Sequence, residues 1–413
     1  MNILRNYLIT TYNVYTRRKL YTAINLACIT LTLVVLMVIT ALLQNVFYPT
    51  GVEGKSDRFL QVWSLVLTGE NTDQNSPLGF KTIDRYLRPM RSIESIAAMT
   101  FPAPVSVYHG QQVSELQMRY TDAPYWQILD FVVLDGRVLN AEDVAQGKFV
   151  AVLNQSSAVK FFANEKAVGQ SLNVSGQQFQ IIGVVEDVMH VNSFADIWMP
   201  LTTQPSSDYQ NQIRGIFGAL LLAKSAADIP AIQAEILTVA PHIVAEDPKR
   251  WQHAYLFADT KLDLFARALL EHRYIADSGA GTLLLIIAVM MLLFMLLPAL
   301  NLINLNIGRI MERGIEIGVR KAFGASSNQL VLQLVIENVL LSLLGGALAL
   351  LLAKAVLVWI GASGLIPYLQ VNINFSVFAW GLALTIIFGL LSGVVPAWKM
   401  SRLAPVVALK GAL

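Results

Sequence analysis

The sequence predicts a membrane protein with four transmembrane α-helices and an α+β extracytoplasmic domain inserted between helices 1 and 2. Three observations carry this reading. The chain is 55% hydrophobic and only 14% charged, and its mean hydropathy of +0.53 exceeds what a soluble protein of this length normally tolerates. Four runs, 22–44, 281–305, 330–360 and 377–398, are long enough to cross a hydrocarbon core about 30 Å thick. Residues 45–280 contain no such run and alternate strand-like with helix-like patterns.

Residues 1–21 read as a cytoplasmic, interfacial N-terminal helix. Ile3, Leu4, Tyr7, Leu8, Thr11 and Tyr12 recur at helical spacing, and a lead-in that merely orients the first span is the simpler explanation. Arg17, Arg18 and Lys19 before an apolar run resemble a secretory signal. That run is about twice the usual h-region, however, and Gln44-Asn45-Val46-Phe47 offers no small-residue cleavage site, so it reads as a retained anchor. The short segments at 1–21, 306–329 and 399–413 hold nearly all the flanking Lys and Arg, whereas 45–280 holds 18 Lys and Arg against 25 Asp and Glu, a net of −7. The positive-inside rule then places both termini and 306–329 in the cytoplasm, with the large domain and the uncharged loop 361–376 outside.

In the outer domain, Val150–Leu153 reads as a buried strand followed by a helix capped by Asn154 and carrying Ala158, Val159, Phe161 and Phe162. Ser171–Val174 and Gln178–Val185 form a hairpin around Ser175-Gly176. Asp196–Pro200, Phe59–Leu67, Ser92–Thr100 and Gly218–Ala223 read as strands, and Thr82–Met90 and Ile229–Ala240 as helices. Outer flanks around an inner β-rich block suggest two subdomains, one inserted into the other. From Lys261 to Leu297 the pattern fits either one long helix or a helix hinged at Ser278-Gly279-Ala280-Gly281.

Catalytic constellations are absent from the sequence. His109, His190, His242, His253 and His272 lack metal-ligand spacing, and neither G-x-S-x-G nor H-E-x-x-H occurs. Glu186-Asp187 fits an exposed turn better than a cation site. The one cysteine, Cys28, lies in the first span, which excludes disulfide and thiolate chemistry outside the membrane. No metal, bound cofactor or nucleic-acid partner is expected in this chain.

Small residues at every fourth position give one smooth ridge on the last span, including Gly389 and Gly393, and another on the third, with Gly345 and Ala349. Such ridges serve packing within one chain or a dimer seam. Glu337 and Lys354, the ionisable residues within apolar runs, read as interface anchors.

The segment 306–329 is the most informative. Arg309, Arg313, Glu316 and Arg320 share a helical face, with Glu316 and Arg320 in the favourable i,i+4 order. Gly324 suits the left-handed residue that ends this helix, and Ser326 with Gln329 forms a capping box for the next. A short cytoplasmic helix, a sharp corner and a long membrane helix result.

E-R-G-I-E-I-G-V-R-K-A-F-G-A-S, with the following Q-L-V-I-E-N-V-L-L-S-L-L-G-G, closely resembles the signature before the third helix of MacB-type ABC transporter permeases, in the wider FtsX-like superfamily. The ending P-A-W-K-M-S-R-L-A-P-V-V-A-L-K, and V-A-V-L-N-Q-S with Q-F-Q-I-I-G-V-V-E-D-V in the outer domain, are similar to the same family. The resemblance implies porter-like and Sabre-like subdomains and a dimer of permeases in a bacterial inner membrane, with the large domain in the periplasm. It implies mechanotransmission, in which ATP-driven closure of two ATPase domains moves the outer domain. Arg309, Glu312, Arg313, Glu316, Arg320 and Lys321 are then expected to contact the ATPase, and Gly324 to shape the corner. MacB carries a fused ATPase domain, whereas this sequence contains no G-x-x-x-x-G-K-[ST] loop. ATP and Mg²⁺ are therefore expected in a separate ATPase subunit, this chain being non-catalytic, and the second permease is either a second copy or a different chain. The leading function is export of a peptide, lipopeptide, antibiotic or siderophore from the periplasm, with a periplasmic adaptor and outer-membrane channel as further partners. The alternatives are an FtsX-like signalling protein controlling a cell-wall hydrolase, and a lipoprotein-releasing permease.

Overall fold

The computed structural model describes residues 15–16, 19–296 apart from 48, 50, 164 and 295, then 319, 323–324, 326–363 and short stretches between 375 and 390. The chain divides into two compact units, one built from 45–283 and the other from the apolar segments on either side.

Helix α1 spans Lys19–Phe47 and opens the chain's first apolar segment. The outer unit then runs through β1 (Phe59–Val62), β2 (Leu65–Thr68), β3 (Asp73–Ser76), β4 (Ile93–Thr100), β5 (Ala103–His109), β6 (Gln112–Thr121) and α2 (Ala123–Ile128). It continues with β7 (Val133–Gly136), α3 (Ala141–Ala145), β8 (Val150–Asn154), α4 (Gln155–Phe162), β9 (Ser171–Val174), β10 (Gln177–Val185) and β11 (Ile197–Pro200). Last come β12 (Phe217–Ala223), α5 (Ile229–Val239), β13 (His253–Leu256) and α6 (Lys261–Leu270).

Ten strands share one sheet, ordered β1-β12-β4-β6-β11-β8-β10-β9-β5, with β7 added along β10. Because β5 pairs with both β6 and β9, six of them close into a mixed barrel. That inner block sits in sequence between β4 and β12 and joins the flanking strands through the single pair Met99↔Thr121. A separate three-stranded sheet has the order β13-β2-β3.

Alternation explains the core. Leu60, Ala98, Leu153 and Leu221 enter one buried cluster. Their neighbours Phe59, Ala97, Val152 and Leu220 enter another. Successive side chains point to opposite faces of a strand, so both faces of this sheet are covered, and strands such as β12 are apolar at every position.

The hairpin of β9 and β10 turns at Ser175 and Gly176, both with positive φ, the mirror-image turn that matches strand twist. Asn154 caps α4 by accepting from Ser157 N at 2.9 Å. Two stretches differ from expectation. Phe59–Leu67 is two strands in two sheets, broken at Trp63-Ser64. The helix expected over 82–90 starts at Phe80 and passes into a π-helix over Ile83–Leu87. Of the two readings of 261–297, the structure has the broken one: α6 ends with Glu271 in the left-handed conformation, and α7 restarts over Ala280–Phe294.

In the other unit, α8 spans Ser327–Ala362. Among the described residues two helices are long and apolar enough to cross a membrane, at Thr22–Gln44 and Val335–Ala362. Gly345 faces α1, where an added Cβ would come within 2.6 Å of Ile29 Cγ2, and Thr30 Oγ1 donates to Gly345 O at 3.3 Å. Ala349 and Ala353 are fully buried on the same stripe. A Cβ at Gly381 would come within 2.8 Å of Leu36 Cδ2, so the last apolar segment also approaches α1. Gly389 and Gly393 lie outside the described residues. Glu337 corrects the expectation of an interface anchor. It is 1% exposed, accepts from Gln333 Nε2 at 3.0 Å, and its carbonyl accepts from Tyr15 Oη at 2.5 Å, so protein rather than headgroups satisfies it.

Gly345→Leu is expected to destabilise the helix packing by about 1–3 kcal/mol through overpacking against Ile29. Gly281→Leu, where a Cβ meets nothing within 4 Å, should leave stability unchanged, and thermal unfolding of the solubilised chain compares the two.

Candidate functional site

The expected coupling residues Arg309, Glu312, Arg313, Glu316, Arg320 and Lys321 lie outside the described residues. The corner after them is described. Gly324 has φ +89 with nothing within 4 Å of a would-be Cβ. Ser326 then caps α8: Gln329 N donates to Ser326 Oγ at 3.3 Å and Ser326 N to Gln329 Oε1 at 3.0 Å, satisfying two of the free N–H groups at the helix start.

Charge is concentrated instead inside the outer domain. Glu53, in a short helical turn soon after α1, and Lys261, the first residue of α6, form an ion pair and are both buried. Thr260 and Asp263 make the capping box that fixes Lys261 at this helix start. Glu53 Oε1 also accepts from Asn192 N at 2.9 Å. The loop around Asn192 is held from the other side, where Arg119, on β6 and 1% exposed, donates to the Asn192 carbonyl. Tyr125 Oη donates to the same carbonyl at 2.9 Å. Four chain segments therefore meet on one buried polar cluster.

Burial dominates its electrostatics. Desolvation lowers Arg119, with Tyr125 and Glu53 opposing, and pushes the Tyr125 hydroxyl up to about 12. His190, whose Nε2 lies 3.3 Å from a Cβ placed on Gly51, is lowered by burial and by Lys261, against the pull of Glu53. No group of three metal-ligating side chains occurs among the described residues. The cluster ties the Glu53 turn, the 119–125 segment, the Asn192 loop and the start of α6 to one another.

This cluster has no sequence motif. Glu53 and Asn192 are 139 residues apart, and the one local signal is a charged Lys261 directly after the capping Thr260. Asp187 is occupied locally, its Oδ1 accepting from Ser156 N at 3.0 Å and its Oδ2 from Ser156 Oγ at 2.7 Å. The five histidines are dispersed: His109 packs edge-on against Phe162, His242 contacts the Thr238 carbonyl and His272 that of Asp277.

Asp122 forms a second buried charge beside Tyr125. It caps α2, accepts from Ala98 N at 2.9 Å and pairs with Arg88 at 2.9 Å. Burial outweighs these contacts and raises its carboxyl to about 6.

Comparison with known proteins places these features in context. The family described as MacB-like periplasmic core domain matches residues 22–239, and the FtsX-like permease C-terminal region matches residues 283–405. The macrolide export ATP-binding/permease protein MacB of Mannheimia succiniciproducens is 24% identical over 319 residues, covering 77% of this chain and 47% of that protein. The chain thus spans about half the length of that relative. The uncharacterized ABC transporter permease YknZ of Bacillus subtilis is 24% identical over 328 residues, covering 78% of this chain and 77% of its own. The periplasmic region of MacB from Actinobacillus actinomycetemcomitans aligns with a TM-score of 0.39 at 16% identity, over 53% of this chain and 95% of that one.

Lys261→Met strands the buried Glu53 carboxylate and is expected to cost about 3–5 kcal/mol, while adding Glu53→Gln should restore most of it; urea unfolding of the full chain reads both. The folded protein holds a proton on Asp122 that the unfolded chain, with an ordinary value of 3.8, has already released at intermediate pH. The contribution of Asp122 to stability therefore falls as pH rises from about 4 to about 6 and is constant above. Asp122→Asn, which keeps a capping side chain, should flatten that part of the stability–pH curve.

Proposed function

We propose that this chain, which belongs to the family of permeases with a MacB-like periplasmic core domain and an FtsX-like C-terminal region, is the membrane subunit of an ABC transporter driven by a separate ATPase. In this reading four helices span the inner membrane, the outer domain is periplasmic, and closure of the ATPases moves that domain to export a peptide, lipopeptide, antibiotic or siderophore. In this reading ATP and Mg²⁺ bind that ATPase. A second permease completes the dimer, and an adaptor and outer-membrane channel receive the cargo.

The observation that carries this reading is the basic segment 306–329, set between apolar runs in a chain whose two halves match the two parts of such permeases. A positively charged loop bounded by membrane helices is held at the cytoplasmic surface, where an ATPase can grip it. The capped restart at Ser326 supports a firm connection into α8, because a helix with satisfied ends transmits displacement without fraying.

Purification of the tagged chain in mild detergent, with identification of every bound polypeptide, tests the proposal. Wild type is expected to retain an ABC ATPase, and the double variant Glu316→Arg with Arg320→Glu to lose it. Absence of any ATPase from the wild-type sample, under conditions that preserve related complexes, refutes the reading.

A further inference from the structure

Where the chain leaves the large sheet for the small one, at Trp63-Ser64, it borders a cavity of about 430 Å³, within the range typical of small-molecule sites, roughly 300–1,000 Å³. Three rings are part of its apolar walls. Trp63 and Phe101 meet edge to face at 5.2 Å and stand over Gly218, where a Cβ would come within 3.3 Å of Trp63 Cδ1 and 3.5 Å of Phe101 Cζ. Phe257 lies under the Arg267 guanidinium, 4.0 Å from its centroid.

The polar groups around these rings are unevenly used. Ser76 Oγ and Trp63 Nε1 are buried without a hydrogen-bond partner among the described residues, a state that buried donors in native proteins seldom occupy. The lining contains one carboxylate, Asp259, and two guanidiniums, Arg267 and Arg273. Asp259 is consumed by Arg267, which donates to its two oxygens at 2.8 and 3.0 Å. Arg267 spends its remaining reach on the carbonyls of His272 and Ile275. The exposed Arg273 side chain makes no hydrogen bond or ion pair among the described residues, so the lining holds one guanidinium more than it has carboxylates to pair.

We propose that this cavity binds a small anion with a flat apolar body, of the class of aromatic carboxylic acids. The rings of Trp63, Phe101 and Phe257 pack against the body, Arg273 takes the carboxylate through its planar fork, and Ser76 supplies a donor inside. Aliphatic neutrals gain nothing from Arg273, and hydrophilic anions gain nothing from the rings, so the pairing of the two features selects the class. The inference is independent of any ATPase.

Titration of the full chain in lipid nanodiscs with dansyl-L-phenylalanine, read by energy transfer from tryptophan and corrected with empty nanodiscs, tests it against the neutral amide of the same probe. The expected result is saturable binding of the acid below a concentration on the order of 1 mM. The amide should bind about ten-fold more weakly, and the acid should lose a similar factor in Arg273→Gln. Gly218→Leu, which drives Trp63 and Phe101 from their places, should abolish binding. Arg273→Gln alters an exposed side chain, so it keeps the test decisive if Gly218→Leu fails to fold, as thermal unfolding of each variant will tell. Equal binding of acid and amide, unchanged acid binding in Arg273→Gln, or no saturable signal overturns the proposal.

Discussion

A carboxylate and an ammonium withdrawn from water have to stay together, and the outer domain is organised around one such pair. Glu53 lies six residues beyond the end of α1 and Lys261 opens α6, so the constraint joins the segment entering the domain to a segment leaving it. Each charge alone would face a desolvation penalty of several kcal/mol. The geometry that avoids this also recruits Asn192 N, and through the Asn192 carbonyl it recruits Arg119 and Tyr125. Arg119 sits on β6, the strand that joins the closed barrel to the flanking strands. A local charge requirement thereby ties both ends of the inserted domain to the centre of its sheet.

Legibility in the sequence follows the range of the interaction. Ser175-Gly176 announces its hairpin because two adjacent residues fix the turn, and Asn154 and Ser326 announce helix starts because their partners lie three residues on. Covering both faces of the sheet shows as the continuous apolar run of β12. The passage between sheets at Trp63-Ser64 leaves no mark, since Phe59–Val62 and Leu65–Leu67 are equally buried on both sides of it. Barrel closure by β5 on β9 and the Glu53 cluster are likewise silent, because their partners are distant in sequence and have ordinary neighbours. The coupling segment is the reverse case: its charges are plain in sequence, whereas the structure describes only the glycine corner and the cap that follow them.

The break between α6 and α7 shows why a glycine-rich patch need not be a loose joint. Glu271 ends α6 in a left-handed conformation, which frees carbonyls that would otherwise need water or a cap. Arg267, anchored on Asp259, donates to the carbonyls of His272 and Ile275 at 2.6 and 2.8 Å. Ser278 donates from its hydroxyl to Asp263, and Gly279 N donates to Asp277 Oδ1 at 2.9 Å. Gly279 itself has φ +78, with Leu270 Cδ1 within 2.5 Å of a would-be Cβ, so the glycine serves a tight reversal. The polar groups of this corner are bonded to α6 and to one another, and α6 is in turn tied to the start of the domain through Lys261 and Glu53.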